Sequence, residues 1–212
     1  MSSPSNRLFR MQLYVCPFCE SGEGRAWLVT GTSSGFGRAI ARAALSRGDT
    51  VVGTATRAGR PDDLIRGAAP EGKAHALPLE LTHTEGTGRA EEEVLDRFGR
   101  VDVLVNSAGH GQVGALEGFS EALPAEVAPM GVRVLVVLPG AFRTGFAGGG
   151  LVGSRAFPGY RATLCPAGGM IEGINGTQPG DPAGAAEAIL PAPDAEDTPR
   201  RLPLGADAVA AA

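Results

Sequence analysis

The residues with the clearest chemical potential form one glycine-rich stretch, Thr30-Gly31-Thr32-Ser33-Ser34-Gly35-Phe36-Gly37. A tight turn needs residues without a Cβ atom, and so does a backbone that approaches a phosphate closely. A helix that follows such a turn offers free N–H groups and the positive end of its dipole to the phosphate, and the hydroxyls of Ser33 and Ser34 add donors. The stretch therefore predicts a nucleotide-phosphate site. The alternative is a plain strand-to-helix loop, because the chain contains 32 glycines.

The elements around this stretch are the ones that a phosphate-binding turn requires. Residues 26–30 predict a short apolar strand before it, and residues 36–46 predict a helix after it. The remaining predicted elements continue the alternation. They are strands at 50–55, 74–79, 101–105 and 132–138, with helices over 90–98 and 116–127. Alternation of this kind implies parallel pairing with helices on both faces, so we expect an α/β fold with a doubly wound, Rossmann-type parallel sheet.

Length and composition exclude several classes of protein. The 212 residues, 43% hydrophobic and 20% charged, suit one globular domain. A net charge of −4 argues against a main role in binding nucleic acid or an anionic membrane. No apolar run reaches the ~18 residues of a transmembrane helix, and the first residues lack the apolar core of a secretory signal. Three cysteines favour the cytoplasm over a disulfide-rich setting.

The chain divides into three regions by composition. Residues 1–24 are a polar extension that we expect to be poorly ordered and outside the core. Residues 25–144 carry the alternating elements and form the predicted nucleotide-binding domain. Residues 145–212 are rich in glycine, proline and alanine with little periodicity, so this C-terminal region is expected to be weakly structured.

The glycine-rich stretch resembles the cofactor turn of the short-chain dehydrogenase/reductase family, whose members are Rossmann-fold oxidoreductases that use NAD or NADP. Three later segments resemble further motifs of that family in the same order. They are Leu79-Glu80-Leu81-Thr82, similar to an Asp-centred adenine segment; Asn106-Ser107-Ala108-Gly109, similar to Asn-Asn-Ala-Gly; and Pro139-Gly140-Ala141-Phe142-Arg143-Thr144, similar to the Pro-Gly segment along the nicotinamide half. By this resemblance, further cofactor contacts are expected from Glu80, Leu81, Asn106, Ala108, Gly109, Pro139, Gly140 and Thr144.

The residue that follows the second predicted strand of the nucleotide-binding domain bears on which dinucleotide is bound. NAD sites place an acid there for the ribose hydroxyls, whereas NADP sites accommodate the 2′-phosphate with a basic residue. In this chain the strand ends Thr54-Ala55-Thr56-Arg57, and the next carboxylate is Asp62. A planar guanidinium suits phosphate, so Arg57 favours NADP(H) over NAD(H). The alternative is a solvated surface arginine.

The catalytic residues of the family have no counterpart in the sequence. The family uses a tyrosine as acid and base, a lysine four residues later, and a serine on the preceding strand. The cation is needed because a phenol has a pKa near 10. The chain has two tyrosines, Tyr14 and Tyr160, and its one lysine, Lys73, follows neither at that spacing. We therefore assign no catalytic residue and expect that one strand–helix unit of the family fold is absent.

Several interpretations of function remain open at this stage. The resemblance implies an NADP(H)-dependent oxidoreductase of carbonyl or hydroxyl substrates, with the substrate unknown. The alternatives are a non-catalytic NADP(H)-binding protein, an inactive remnant, or an enzyme in which Tyr160 or a partner chain's tyrosine serves as the acid. Without the missing unit, residues 132–138 are expected to pair directly beside residues 101–105. A homo-oligomer is possible, although the absent unit belongs to the family's usual interface.

Two smaller motifs carry little weight. Cys16-Pro17-Phe18-Cys19 has the spacing of a redox or zinc pair, but it lacks a thioredoxin-like setting and a second pair of ligands. We therefore predict no metal site. His110 follows the Asn106 motif and could approach a cofactor, although a surface histidine is the simpler interpretation.

Overall fold

The computed structural model describes residues 11–16, 24–56, 73–109, 119–149, 173–195 and 197–211. These residues form an α/β fold around one seven-stranded sheet. The strands are β1 (Met11–Val15), β2 (Ala26–Thr30), β3 (Thr50–Ala55), β4 (Ala74–Pro78), β5 (Val103–Asn106), β6 (Arg133–Pro139) and β7 (Arg201–Leu204). The α-helices are α1 (Gly35–Ser46), α2 (Thr84–Phe98), α3 (Phe119–Val127), α4 (Phe146–Gly149), α5 (Pro182–Ile189) and α6 (Ala206–Ala211).

The order of the strands across the sheet is β4-β3-β2-β5-β1-β6-β7. Every neighbouring pair is parallel except the two that involve β1, which runs antiparallel to both β5 and β6. The predicted doubly wound α/β architecture is therefore confirmed, although the sheet is mixed rather than wholly parallel. The carboxyl ends of β2, β3, β4, β5 and β6 lie along one edge of this sheet, which is the edge where open α/β sheets bind ligands.

The N-terminal strand β1 corrects the prediction that residues 1–24 lie outside the core. Met11 and Leu13 are fully buried, and Leu13 lies opposite Val105 on one side and Leu135 on the other. The apolar residues of β1 alternate with Gln12 and Tyr14, which is the period of a strand with one fully buried face. Because β1 fills the space between β5 and β6, the expected direct pairing of residues 132–138 with residues 101–105 is also wrong.

Helices cover both faces of the sheet. On one face α1 and α5 pack against the inward side chains of β1, β2, β5 and β6 in a single apolar cluster. On the other face α2 packs through Ala90 and Val94 against Val52 and Leu77. The neighbouring residues Val51 and Val52 of β3 belong to these two different clusters, as the alternation of a strand that is buried on both faces requires.

The C-terminal region corrects a second prediction, because residues 182–195 and 197–211 contain two helices and a strand rather than being weakly ordered. Helix α5 begins after Asp181, whose side chain accepts a hydrogen bond from the backbone N–H of Gly184, and Pro182 occupies its first position. Strand β7 pairs in parallel with β6, so that Leu202 lies opposite Val137. The predicted division of the chain at residues 144 and 145 therefore runs between two adjacent strands of one sheet.

Acidic side chains fix the end of the sheet remote from the glycine turn. Asp49 accepts hydrogen bonds from the backbone N–H of Arg25 at 2.9 Å and from the indole N–H of Trp27 at 3.0 Å. Buried Asp102 accepts from the backbone N–H of Ala26 at 2.7 Å and forms an ion pair with Arg100 at 3.0 Å. These bonds satisfy buried polar groups at this end of the sheet. The glycine turn lies at the opposite end.

Two further features of the helices follow from the described residues. Pro124 lies inside α3, as the sequence predicts, and a proline at such a position removes a backbone hydrogen bond of the helix. Among the helices of the described ranges, none has the length and apolar character that crossing a membrane requires.

Candidate nucleotide-binding site

The glycine turn between β2 and α1 is closed so tightly that side chains are excluded from it. Gly31 has a positive φ of +74°, and a Cβ atom there would lie 2.8 Å from the Cα atom of Ala108. A Cβ atom on Gly37 would lie 2.6 Å from the carbonyl oxygen of Gly31. The backbone N–H groups of Gly31 and Thr32 both donate to the carbonyl of Thr54 at 3.0 Å, which anchors the turn to the end of β3. The glycines are thus required by the geometry of the turn itself.

The N-terminus of α1, which this turn presents, carries no side-chain cap. Its N-cap residue is Ser34, whose side chain makes no capping hydrogen bond, and its first turn contains no acid. Helix α5 differs, since the carboxylate of Asp181 accepts from Gly184 at 3.1 Å. A helix N-terminus without a side-chain cap, preceded by a glycine turn, presents backbone N–H donors and the positive end of the helix dipole, which suits a phosphate group.

Thr30, the last residue of β2, joins the glycine turn to the segment after β5. Its buried hydroxyl accepts hydrogen bonds from the backbone N–H groups of Ser107 and Ala108, each at 3.0 Å, and lies 3.3 Å from the carbonyl oxygen of Val105. These bonds hold Ala108 against Gly31. The sequence motif includes Thr30, but its role as the link between two strand ends was not predicted. The available signal was a hydroxyl residue at the end of a strand immediately before the first glycine.

The segment after β6 also reaches the glycine turn. A Cβ atom on Gly35, which has a φ of +60°, would lie 3.5 Å from the Cβ atom of Thr144. The rings of Phe36 and Phe142 pack edge to face with centroids 5.1 Å apart. Three of the four segments singled out in the sequence thus meet around the N-terminus of α1. They are residues 31–37, 106–109 and 139–144.

The fourth segment lies further along the same edge of the sheet. Glu80 and Leu81 follow β4, which is separated from β2 by β3. The carboxylate of Glu80 accepts a hydrogen bond from the hydroxyl of Thr82 at 3.0 Å, and the side chain of Leu81 is 45% exposed. Arg57 lies outside the described residues.

The described tyrosine and the one lysine of the chain are both far from the arrangement that the family mechanism needs. Lys73 donates a hydrogen bond to the carbonyl of Gly48, at the C-terminal end of α1 and hence at the opposite end of that helix from the glycine turn. Tyr14 lies on β1, and its hydroxyl donates to the side-chain oxygen of Gln12 at 2.5 Å. Burial raises the pKa of Tyr14 more than a side-chain hydrogen bond with Asn106 lowers it. The phenol of Tyr14 is therefore neutral at physiological pH. Tyr160 and His110 lie outside the described residues.

Comparison with known proteins agrees with this geometry. The family model for short chain dehydrogenases matches residues 25–117, which span the glycine turn and the Asn106 segment. The crystal structure of a short-chain dehydrogenase from Streptomyces avermitilis is 38% identical in sequence. The structural alignment covers 89% of this chain and 91% of the Streptomyces protein, with a TM-score of 0.77. The likeness thus extends well beyond the residues that the family model matches.

Two curated relatives add to the comparison. Oxidoreductase BOA17 of Botryotinia fuckeliana is 26% identical over 250 residues, covering 87% of this chain and 90% of that protein. Because this chain has only 212 residues, the alignment contains positions of the relative that have no counterpart here. The 3-oxoacyl-(acyl-carrier-protein) reductase FabG of Vibrio harveyi is 41% identical over 87 residues, which are 41% of this chain and 35% of FabG. From the match over nearly the whole chain and the shared glycine turn, we conclude that the chain belongs to the short-chain dehydrogenase/reductase family.

Proposed function

We propose that this chain binds NADP(H), with the phosphates at the glycine turn. The observation that carries the proposal is the construction of that turn: Gly31 is closed against Ala108, and the helix behind it begins at Gly35 without a side-chain cap. These features fit a pyrophosphate, because a glycine turn lets the backbone approach a phosphate closely and the helix N-terminus contributes N–H groups and the positive end of its dipole. When bound, the cofactor would supply a nicotinamide ring able to exchange a hydride.

The other segments fit the remaining parts of the same molecule. Leu81 is exposed at the end of β4 and offers an apolar surface for an adenine ring. Asn106 ends β5 beside the turn, and the segment from Gly140 to Thr144 reaches Gly35 from the far side. In our proposal the adenosine half lies toward β3 and β4, and the nicotinamide half lies toward β6.

The preference for NADP(H) is proposed from the sequence at the end of β3. No carboxylate follows that strand before Asp62, so nothing at that point repels a 2′-phosphate or binds ribose hydroxyls as an acid would. Arg57 is the first charged residue after the strand, and its guanidinium suits bidentate contact with phosphate.

We further propose that the chain does not transfer hydride by the tyrosine mechanism of its family. Lys73 is bound at the far end of α1, and burial raises the pKa of the Tyr14 phenol, whereas the family mechanism needs a phenol whose pKa is lowered by a neighbouring cation. The position between β5 and β6 is filled by β1 instead of a strand that follows β5 in the chain. The competing proposal is an NADP(H)-dependent oxidoreductase of carbonyl or hydroxyl compounds that recruits a different acid.

Titration calorimetry with NADPH and NADH tests the binding proposal. We expect a Kd for NADPH in the micromolar range, about −8 kcal/mol, and weaker binding of NADH. Arg57→Ala should lower the affinity for NADPH by about tenfold and leave that for NADH unchanged. The control is Arg89→Ala on the exposed face of α2, where Arg89 pairs with Glu85 at 3.5 Å. A folded chain that binds neither nucleotide contradicts the proposal, and equal losses for both nucleotides in Arg57→Ala contradict the role of Arg57.

Hydride transfer is tested separately, by following NADPH absorbance with a panel of aldehydes and ketones. We expect no consumption above the rate without protein. Consumption that disappears in Tyr160→Phe, but persists in Tyr14→Phe, would overturn this proposal and identify the recruited acid.

We also propose, from the cysteine content, that the protein resides in the reducing cytoplasm. Detection of the free thiol of Cys16 in freshly isolated protein tests this location.

A further inference from the structure

The C-terminal segment from Leu204 to Asp207 contacts the loop that follows β6. The carboxylate of Asp207 accepts a hydrogen bond from the backbone N–H of Ala141 at 2.7 Å, and the backbone N–H of Gly140 donates to the carbonyl of Leu204 at 2.8 Å. The same carboxylate occupies the space in which a side chain at position 140 would lie. Residues more than sixty positions apart in sequence thus fix the backbone where the loop leaves the sheet.

The ring of Phe142 connects the loop after β6 to the glycine turn. A Cβ atom on Gly180 would lie 2.5 Å from the ring of Phe142, and one on Gly205 would lie 3.4 Å from it. The ring also packs edge to face against Phe36, the second residue of α1. Phe142 therefore contacts the glycine turn as well as the segments that contain Gly180 and Gly205.

A third set of bonds secures the loop from the side of α5. The backbone N–H of Arg143 donates to the carbonyl of Gly180 at 2.9 Å, and that of Gly180 donates to the carbonyl of Ala141 at 3.0 Å. The guanidinium of Arg143 donates to the carbonyl of Gln178 at 2.8 Å. The N–H of Ala141 in the same loop donates to the carboxylate of Asp207. Hydrogen bonds to charged acceptors are stronger than those to neutral ones.

We infer that Asp207 is a positioning residue for the nicotinamide half of the bound dinucleotide. It acts through Ala141 and Gly140, and so through the loop that our proposed function places beside that half; the inference rests on that proposed function. Asp207 does not itself need to touch the cofactor. Its loss should therefore weaken contacts made by the nicotinamide half and spare those made by the adenosine half.

The test compares two ligands with three variants. Asp207→Ala should lower the affinity for NADPH by about tenfold or more, as loss of a hydrogen bond to a charged group predicts. Its affinity for the adenosine bisphosphate half of NADP, which lacks the nicotinamide, should stay within about twofold of the wild type. Asp207→Asn keeps an acceptor oxygen for the N–H of Ala141 and should restore binding of NADPH. Asp197→Ala removes an exposed acid from the same C-terminal region and should change neither affinity.

The outcomes separate the inference from the proposed function. If the wild type binds NADPH and Asp207→Ala binds it equally well, or loses both ligands equally, Asp207 is not a positioning residue. If the wild type does not bind NADPH, the proposed function itself fails and the inference falls with it. Gly140→Ala provides a fourth variant, because its methyl group would displace the carboxylate of Asp207, and it should show the same selective loss.

Discussion

Gly31 lies so close to Ala108 that a Cβ atom at position 31 would stand 2.8 Å from the Cα atom of its neighbour. The ends of β2 and β5 are therefore in direct backbone contact, in addition to the hydrogen bonds that the hydroxyl of Thr30 accepts from Ser107 and Ala108. The contact places the segment after β5 beside the N-terminus of α1, and the positive φ of Gly31 makes the turn possible. The shape of the candidate site depends on this contact more than on any single polar group.

Gly31→Ala should destabilise the protein and abolish binding of NADPH. The added methyl group would clash with backbone atoms, and the turn would hold a residue with a Cβ atom at a positive φ, which costs about 1–3 kcal/mol. The matched control is Gly88→Ala in α2, where nothing lies within 4 Å of the new atom. That variant should gain about 0.5–1 kcal/mol, because alanine is the better helix former. Urea unfolding measures both changes, and similar effects in the two variants would refute the proposed constraint at Gly31.

Thr30→Val should lower the free energy of unfolding by about 1–3 kcal/mol. The substitution keeps the shape of the side chain but removes the acceptor of two backbone N–H groups, those of Ser107 and Ala108. Thr30→Ser keeps the hydroxyl and should retain most of the stability. Greater destabilisation by serine than by valine would mean that the methyl group, and not the hydroxyl, is what β2 requires at this position.

Leu13→Ala should be among the most destabilising single changes in the chain. Leu13 is fully buried at the centre of the sheet, so truncation leaves a cavity at a cost of about 2–5 kcal/mol. Leu95→Ala removes the same atoms from α2, where the side chain is 43% exposed, and should cost well under half as much. Thermal and urea unfolding of both variants provide the measurement. A small effect at Leu13 would show that β1 contributes little to the core.

The raised pKa of Tyr14 predicts a loss of stability at high pH. As the pH rises above about 10, the phenol of the unfolded chain loses its proton while the folded chain keeps it. The folded state then binds more protons than the unfolded state, so the free energy of unfolding falls with rising pH until the folded pKa is passed. Below pH 10 this contribution is fully present. Tyr14→Phe should remove this part of the fall between about pH 9 and pH 11, and a fall of equal size in both proteins would contradict the prediction.

Much of the fold could be predicted from the sequence because its signals are local. The apolar run Ala26–Thr30 and the branched run Arg133–Pro139 both lie within one residue of their predicted positions. Three of the four predicted cofactor segments also meet around one helix end, since the carboxyl ends of parallel strands share an edge. Helix α5 was missed although Asp181 and Pro182 form a recognisable start, because its alanine-rich sequence has a weak apolar pattern.

The position of β1 could not be predicted from local signals. The alternation of Met11, Leu13 and Val15 predicts that a strand could form, but it does not determine which partners it joins. Those partners, Val103–Asn106 and Arg133–Pro139, are set by the space left between two distant parts of the chain. The role of Thr30 was missed for a related reason, since its hydrogen-bond partners lie 77 and 78 residues away.

The insertion of β1 at the centre of the sheet has a consequence for how the chain folds during synthesis. This strand is made before both of its partners, and one of them, Arg133–Pro139, is made more than a hundred residues later. Until then one edge of β1 is uncovered, and an uncovered edge invites pairing with other chains. Contacts of such high sequence separation slow folding, so the newly made chain must remain unaggregated while it waits for its own last strands.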